Sequence, residues 1–212
     1  MNIITKKKLN IFPVCAVLAS LTFFNMSNVT QAAAMYDAAF WPCKGFPTNV
    51  YADMKHYVDQ SVTDLGYGWI NQSARNGWDK ITDADVGYGR VFDYQSADTR
   101  AFAGYYTWAD YSGLMQAYYS NGSKVPDADY LRPETPFYKA HVLLNDYIMD
   151  ELLYSDNERL KTAIHEWGHV MKLAHQSPPS SNNGVWDSVM ITGQFSMLAP
   201  SWADEQNVKW KY

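Results

Sequence analysis

The stretch SDNERLKTAIHEWGHVMKLAH (residues 155–175) predicts a long helix that packs against a core. Ser155 and Glu158 match a capping box, in which each side chain binds the backbone amide of the other residue. Apolar residues then recur at three- and four-residue steps, as on the inner face of a helix: Leu160, Ala163, Ile164, Trp167, Val170, Met171 and Ala174. The run HQSPPSSNNG after Ala174 ends the helix, because its prolines cannot continue one.

Three histidines of this stretch have the spacing of metal ligands. His165 and His169 are four residues apart on one face of the helix, where two imidazoles can bind a single Zn²⁺. His175 lies beyond the helical stripe, so the chain can turn back and supply a third imidazole. Catalytic zinc sites use three protein ligands and leave a fourth position for water.

Glu166 follows the first histidine and points away from the ligand positions. It is therefore placed beside the metal, where it can accept a proton from a water molecule. A lone histidine more often caps, packs or titrates on an ordinary helix. The complete pattern arises by chance in about one in ten thousand chains of this composition, so we favour a metal site. An alternative ligand set replaces His175 with an acidic residue such as Asp187.

The N-terminal residues 1–34 have the features of a secretory signal peptide. Three lysines precede an apolar run that ends at small residues, and the run is too short to span a membrane. We therefore expect a secreted, extracellular product of residues 35–212, without a membrane anchor after cleavage. Its length is that of one domain.

Composition disfavours several classes of partner. Without the three N-terminal lysines, 14 basic residues face 22 acidic ones, so binding to nucleic acid is not expected. Cys43 is then the single cysteine, which excludes a disulfide within the mature chain. We expect a monomer whose stability comes from packing of its many aromatic rings.

The remaining sequence predicts an α+β fold. β-Forming residues indicate strands within 48–58, 85–94, 100–110 and 138–146. A helix is predicted over 64–81, with Leu65 and Trp69 on its inner face and Asn76-Gly77 as its end. Residues 111–136 are rich in turn formers and predict a long irregular loop. Ser201 and Asp204 predict the cap of a short terminal helix.

The pattern H-E-x-x-H-x-x-x-x-x-H, followed by DSVM (187–190), resembles the metzincin clan of zinc endopeptidases, and most closely its matrixin branch. The resemblance covers residues 48–212 and is densest over 155–190. It implies a single domain with a twisted mixed sheet, two long helices and a short C-terminal helix. It also implies that Met190 forms an apolar floor under the metal and that residues 138–146 form the edge strand that binds substrate.

By this resemblance, the chain is a secreted zinc metalloprotease that hydrolyses peptide bonds of extracellular proteins, with Glu166 as general base. Two departures limit the comparison. Lys172 stands where the family has glycine, and a lysine at positive φ costs on the order of 1 kcal/mol. The segment ITGQF after Met190 lacks the family's proline and tyrosine, so no cleavage preference is predicted. The alternative function is a zinc-binding interaction or inhibitory protein without catalysis.

Cys43 and a group of aspartates allow two further hypotheses. Residues 35–47 are a candidate pro-like segment, in which the Cys43 thiolate would hold the metal in a latent state; a buried, inert Cys43 is the favoured alternative. Four aspartates could hold a structural Ca²⁺, although solvated carboxylates are favoured because their spacing is not that of an EF-hand loop: Asp83, Asp85, Asp93 and Asp98. His56 and His141 are expected to be strand residues.

Overall fold

The computed structural model describes residues 35–177 and 188–212, so the predicted signal peptide lies outside the described residues. Its helices are α1 (Thr48–Ala52), α2 (Gln60–Asp64), α3 (Gly68–Asp79), α4 (Asp146–Glu151), α5 (Asp156–Val170) and α6 (Trp202–Lys211). Its strands are β1 (Met54–Val58), β2 (Tyr88–Arg90), β3 (Thr99–Gly104), β4 (Gly113–Tyr118) and β5 (Lys139–Asn145). No helix in these ranges is long and apolar enough to cross a membrane.

The five strands form one sheet in the order β2-β1-β3-β5-β4. All neighbours run parallel except β4, which pairs with β5 in the antiparallel direction from Gly113↔Leu144 to Tyr118↔Lys139. Helices α3 and α5 pack together, and α5 also contacts β4 and β5. The predicted α+β class, with a mixed sheet and a C-terminal helix, is confirmed.

The prediction that residues 138–146 form the edge strand is wrong. β5 occupies most of that range and lies inside the sheet, between β3 and β4. The edge strand next to it is β4, and the opposite edge is β2. β4 lies in the range predicted to be a loop, as does a 3₁₀ turn over Asp127–Leu131. Turn-forming residues before and after β4 hid a six-residue strand that alternates buried Met115 and Ala117 with less buried neighbours.

Two further boundaries differ from prediction. The range 48–58 was predicted to be a strand, but it begins with the short helix α1, which follows Pro47. Only Met54–Val58 is a strand. The range 64–81 holds the end of α2 and all of α3, whose buried residues are Ile70, Asn71, Ala74 and Trp78. Trp69, predicted to face inward, is 48% exposed. α3 continues past Gly77, where a Cβ would lie 3.0 Å from Cδ of Pro200.

The prediction for α5 holds at its start and along its inner face. Ser155 and Glu158 form the capping box, and the side chains from Leu160 to Val170 are buried. Trp78 Nε1 of α3 donates to the Ile164 carbonyl, and Trp167 Nε1 of α5 donates to Asn71 Oδ1, both at 3.0 Å. Both indoles are fully buried, and replacing either with alanine would cost about 3–5 kcal/mol. These contacts fix α5 against the rest of the core.

The N-terminal segment and α6 complete the surroundings of α5. Ser201 and Asp204 form the predicted capping box of α6. Phe40 pairs with Leu173 in an antiparallel bridge, flanked by hydrogen bonds from the Trp41 amide to Lys172 and from the Ala174 amide to Ala39, both 2.8 Å. The segment that follows α5 is therefore held by the start of the described chain.

Candidate metal centre

The three predicted ligands converge at the C-terminal end of α5. His169 Nε2 lies 3.0 Å from Nε2 of His165 and 2.9 Å from Nε2 of His175. Within the described ranges these three residues form the one cluster of histidine, cysteine or acidic side chains that could hold a metal ion. In a tetrahedral zinc site, nitrogens at roughly 2.0–2.1 Å from the ion lie about 3.4 Å apart. The triad is therefore close to the size that an ion requires.

Backbone carbonyls fix the protonation of two of the ligands. His165 Nδ1 lies 2.9 Å from the Val189 carbonyl oxygen, and His169 Nδ1 lies 2.6 Å from that of Leu173. A carbonyl only accepts, so both Nδ1 atoms must donate, and each neutral ring then has a lone pair on Nε2. Two lone pairs at 3.0 Å cannot form a hydrogen bond. A cation between them satisfies both.

The surroundings oppose a second proton on these rings. Burial, followed by the charge of His175, lowers the pKa of His169 to about 3. Burial also lowers the pKa of His165 well below its ordinary value and lowers that of His175. Neutral imidazoles are the form that binds metal, and metal affinity falls when protons compete for the ligand atoms. The protein therefore holds the triad ready for an ion.

A left-handed turn at Lys172 carries the chain from His169 towards His175. Lys172 has φ +68°, which confirms the strained conformation predicted at this position and ends α5 at Val170, four residues before the predicted end. The Lys172 side chain packs over Gly45, where a Cβ would lie 2.4 Å from Lys172 Cδ. The indole of Trp41 stacks on the His169 ring with centroids 4.6 Å apart and planes 12° from parallel. These contacts pack the turn and the His169 ring against residues 41–45.

Met190 lies beneath the ligand-bearing turn of α5. Its side chain is fully buried, and a Cβ on Gly168 would lie 2.4 Å from Met190 Sδ. The preceding turn is held by Asp204 of α6, whose carboxylate accepts from the Val189 amide and from the Ser188 hydroxyl. Asp187, the alternative third ligand, lies outside the described residues.

Glu166 lies beside the triad and faces the edge strand. It is 6% exposed, and burial raises the pKa of its carboxyl to about 8, against the opposing effects of the Met115 amide and the Lys161 charge. A Cβ on Gly113 of β4 would lie 2.8 Å from both Cγ and Oε1 of Glu166. Glycine at this position therefore provides the space that the carboxylate occupies.

An open cavity of about 340 Å³ lies in front of these groups. Its walls come from α5, from the start of β4, and from the segments that carry His175 and Thr192. The lining residues are Asp110, Tyr111, Ser112, Gly113, Tyr154, Lys161, Thr162, His165, Glu166, His175, Thr192 and Gly193. A bound molecule would contact two of the predicted ligands, His165 and His175, and Glu166 in the same cavity.

Lys161 is a site residue that the sequence interpretation missed. It is 3% exposed, and its Nζ donates to the carbonyls of Ile191, at 2.6 Å, and Gly193, at 3.3 Å. Burial lowers its pKa to about 8, against the opposing effect of Glu166. Lys161 lies four residues before His165 and therefore on the same face of α5 as the predicted ligands. This spacing could have identified Lys161 as a site residue from the sequence.

The other predicted residues lie away from the triad. Cys43 is 1% exposed, and burial raises the pKa of its thiol; its side chain belongs to the hydrophobic core. His56 lies in β1 and His141 in β5, as expected. Asp98 accepts the Lys55 amide at 2.9 Å, and Asp93 accepts the Gln95 amide at 3.0 Å. The latency and calcium hypotheses remain predictions.

Comparisons with known proteins identify no related family, but they identify a structural likeness. No protein-family model and no curated protein sequence matches the chain. Among solved structures, the chain is similar to myroilysin, with a TM-score of 0.43 and 13% identity over 84% of this chain and 97% of that one.

Proposed function

We propose that this chain is a secreted zinc-dependent endopeptidase. The observation that carries the proposal is the triad, in which His165 and His169 donate their Nδ1 protons to carbonyls and turn their Nε2 lone pairs towards each other and towards His175. A cation bound between these nitrogens would satisfy their lone pairs. Three neutral imidazoles suit zinc, and a site with three protein ligands is typical of catalytic zinc.

The three Nε2 atoms would hold the ion and leave its remaining position towards the cavity. Zinc in such a site supplies a Lewis acid that polarises a carbonyl and lowers the pKa of water. Glu166 supplies the proton transfer. Its carboxylate accepts a proton from the attacking water and donates it to the nitrogen of the departing amine. Burial raises the pKa of Glu166 to about 8, which favours the protonated carboxyl that would hold this proton between the two steps.

The substrate would bind as an extended peptide along β4. Among the described strands, β4 has one neighbour, β5. On its other side Ala117 already binds the Tyr130 hydroxyl and the Val125 amide, so the peptide would lie along the start of β4, where Gly113 adjoins Glu166. Free strand edges bind extended peptides through main-chain hydrogen bonds. The excess of acidic over basic residues argues against nucleic acid, and the signal-like N-terminus directs the proposal to proteins outside the cell.

Hydrolysis of casein by the purified chain tests the proposal. We expect cleavage that a chelator abolishes and that added zinc restores. Glu166→Gln should retain stoichiometric zinc but lose activity, because an amide cannot accept the proton. Full activity in this variant would contradict the role of Glu166. Zinc binding without cleavage by the parent protein would favour the alternative of a non-catalytic binder.

The choice of third ligand needs a separate experiment. His175→Ala should weaken zinc binding strongly, whereas Asp187→Ala should leave it unchanged. Competition with a chromophoric chelator measures both affinities. The reverse result would assign the third ligand to Asp187 and point to a different clan of metalloproteases.

A further inference from the structure

Lys161 is a buried cationic side chain that lines the same cavity as Glu166. The two carbonyls of Ile191 and Gly193 accept from its Nζ, and the ring of Phe195 lies 4.2 Å from the same atom. An ammonium carries three N–H donors, and the carbonyls account for two of them. Carbonyl dipoles and an aromatic ring solvate the cation but do not neutralise it.

The cation has no ion-pair partner among the carboxylates of residues 35–177 and 188–212. Glu166 acts on Lys161 only as a nearby charge, and Asp110 at the wall of the cavity is exposed to solvent. A buried charge without a partner is costly, so a ligand that brings the opposite charge is favoured there. Lys161 therefore prefers an anionic group in the cavity.

The cavity has room for such a group. Gly193 adopts φ +118°, and a Cβ there would meet nothing within 4 Å, so space remains beside the carbonyl that binds Lys161. A volume of about 340 Å³ accommodates one large side chain next to the groups that would act on the peptide bond.

We propose that Lys161 makes this cavity a subsite for an acidic side chain, aspartate or glutamate, at a substrate position adjacent to the cleaved bond. The proposal rests on the proposed endopeptidase function and adds a substrate class to it. A charge-assisted hydrogen bond from Lys161 to the carboxylate would favour an acidic residue over its amide by about tenfold.

Peptides that differ at one position beside the cleaved bond test this specificity. We expect kcat/KM for glutamate to exceed that for glutamine by about tenfold, with lysine cleaved most slowly. Lys161→Met, which keeps the apolar stem, should abolish the difference between glutamate and glutamine. Lys80→Met removes an exposed lysine outside the cavity and should preserve it. Equal cleavage of the two peptides by the parent, or an unchanged preference in Lys161→Met, would overturn the proposal.

A binding measurement separates this subsite from the catalytic proposal. Zinc-loaded Glu166→Gln should bind the glutamate peptide about tenfold more tightly than the glutamine peptide, and adding Lys161→Met should remove the difference. If the parent cleaves no peptide, the endopeptidase function fails, while equal binding of both peptides would overturn the subsite itself. Should thermal melting show that Lys161→Met is unfolded, Lys161→Gln, which can still donate to the Ile191 carbonyl, replaces it.

Discussion

The Asp204 carboxylate accepts the Val189 amide at 2.8 Å, and this contact connects the C-terminal helix to the candidate metal centre. The carbonyl of Val189 in turn accepts from Nδ1 of His165 at 2.9 Å. One residue thus receives a hydrogen bond from a candidate ligand and donates one to a buried carboxylate. The orientation of the His165 ring depends on α6, although α6 itself contributes no ligand.

Asp204→Asn should weaken zinc binding. The amide loses one acceptor, so the Val189 carbonyl no longer has a fixed position, and zinc affinity should fall by about tenfold, as for other groups that orient ligands. Competition with a chelator measures the change. Ser201→Ala is the matched control, because it removes the other half of the capping box, costs about 1 kcal/mol of stability, and leaves the contact between Asp204 and Val189 in place. Equal zinc affinity in Asp204→Asn and the parent would contradict this role.

Gly113→Ala should impair catalysis without loss of metal. The new methyl group would overlap Cγ and Oε1 of Glu166 and Cγ2 of Thr162, so the carboxylate must move. A displacement of about 1 Å lowers kcat by roughly a hundredfold. Steady-state kinetics and zinc content check this together. Gly68→Ala, where a Cβ meets nothing within 4 Å, is the control and should keep full activity. Normal kcat in Gly113→Ala would show that the position of Glu166 does not depend on this glycine.

Trp41→Leu should lower zinc affinity about fivefold, because stacked aromatic rings contribute about 1 kcal/mol beyond their buried area. The indole that stacks on His169 would be lost, and the ligand ring would gain freedom in the apoprotein. Isothermal titration with zinc measures the effect. Trp202, which is 71% exposed, provides the control Trp202→Leu with no expected change. An unchanged zinc affinity in Trp41→Leu would mean that the stacked indole contributes to packing but not to zinc binding.

The free energy of unfolding should fall in mild acid because of the buried His56. Its pKa is lowered to about 3 by burial and by the charge of Arg75, whereas the unfolded chain has the ordinary value of 6.5. Between these values the unfolded state binds the proton and the folded state does not. The contribution of His56 is therefore fully present above pH 6.5 and is lost as the pH falls, by about 1.4 kcal/mol per pH unit.

Denaturant unfolding at several pH values measures this slope. His56→Gln should show a shallower loss of stability than the parent between pH 6 and pH 4, with both proteins saturated with zinc, as expected from removal of one titrating group. The other histidines titrate equally in both proteins, so the difference isolates His56. Parallel slopes would mean that His56 is protonated in the folded state.

Local signals made parts of this structure predictable. The capping boxes of α5 and α6 involve residues three positions apart, so the sequence alone located both helix starts. The positive φ of Lys172 followed from the position where the resembled family has glycine. The four-residue spacing of His165 and His169 predicted that they share one helical face, and the position of His175 beyond the helical stripe predicted that the chain could bring it to them.

Distant contacts explain the remainder. β4 is a short strand whose identity depends on pairing with β5, more than twenty residues later, and its own composition is that of a loop. The contact between Asp204 and Val189 joins residues whose proximity exists only after α6 has docked. Trp41 reaches His169 from the opposite end of the chain. No pattern within a window of sequence contains such pairs.

Anomalous diffraction at the zinc edge, from crystals of the full chain grown with zinc, tests the central claim most directly. We predict one ion at roughly 2.0–2.1 Å from Nε2 of His165, His169 and His175, with a fourth position open towards Glu166. An anomalous peak elsewhere, or none between the three imidazoles at saturating zinc, would contradict the account.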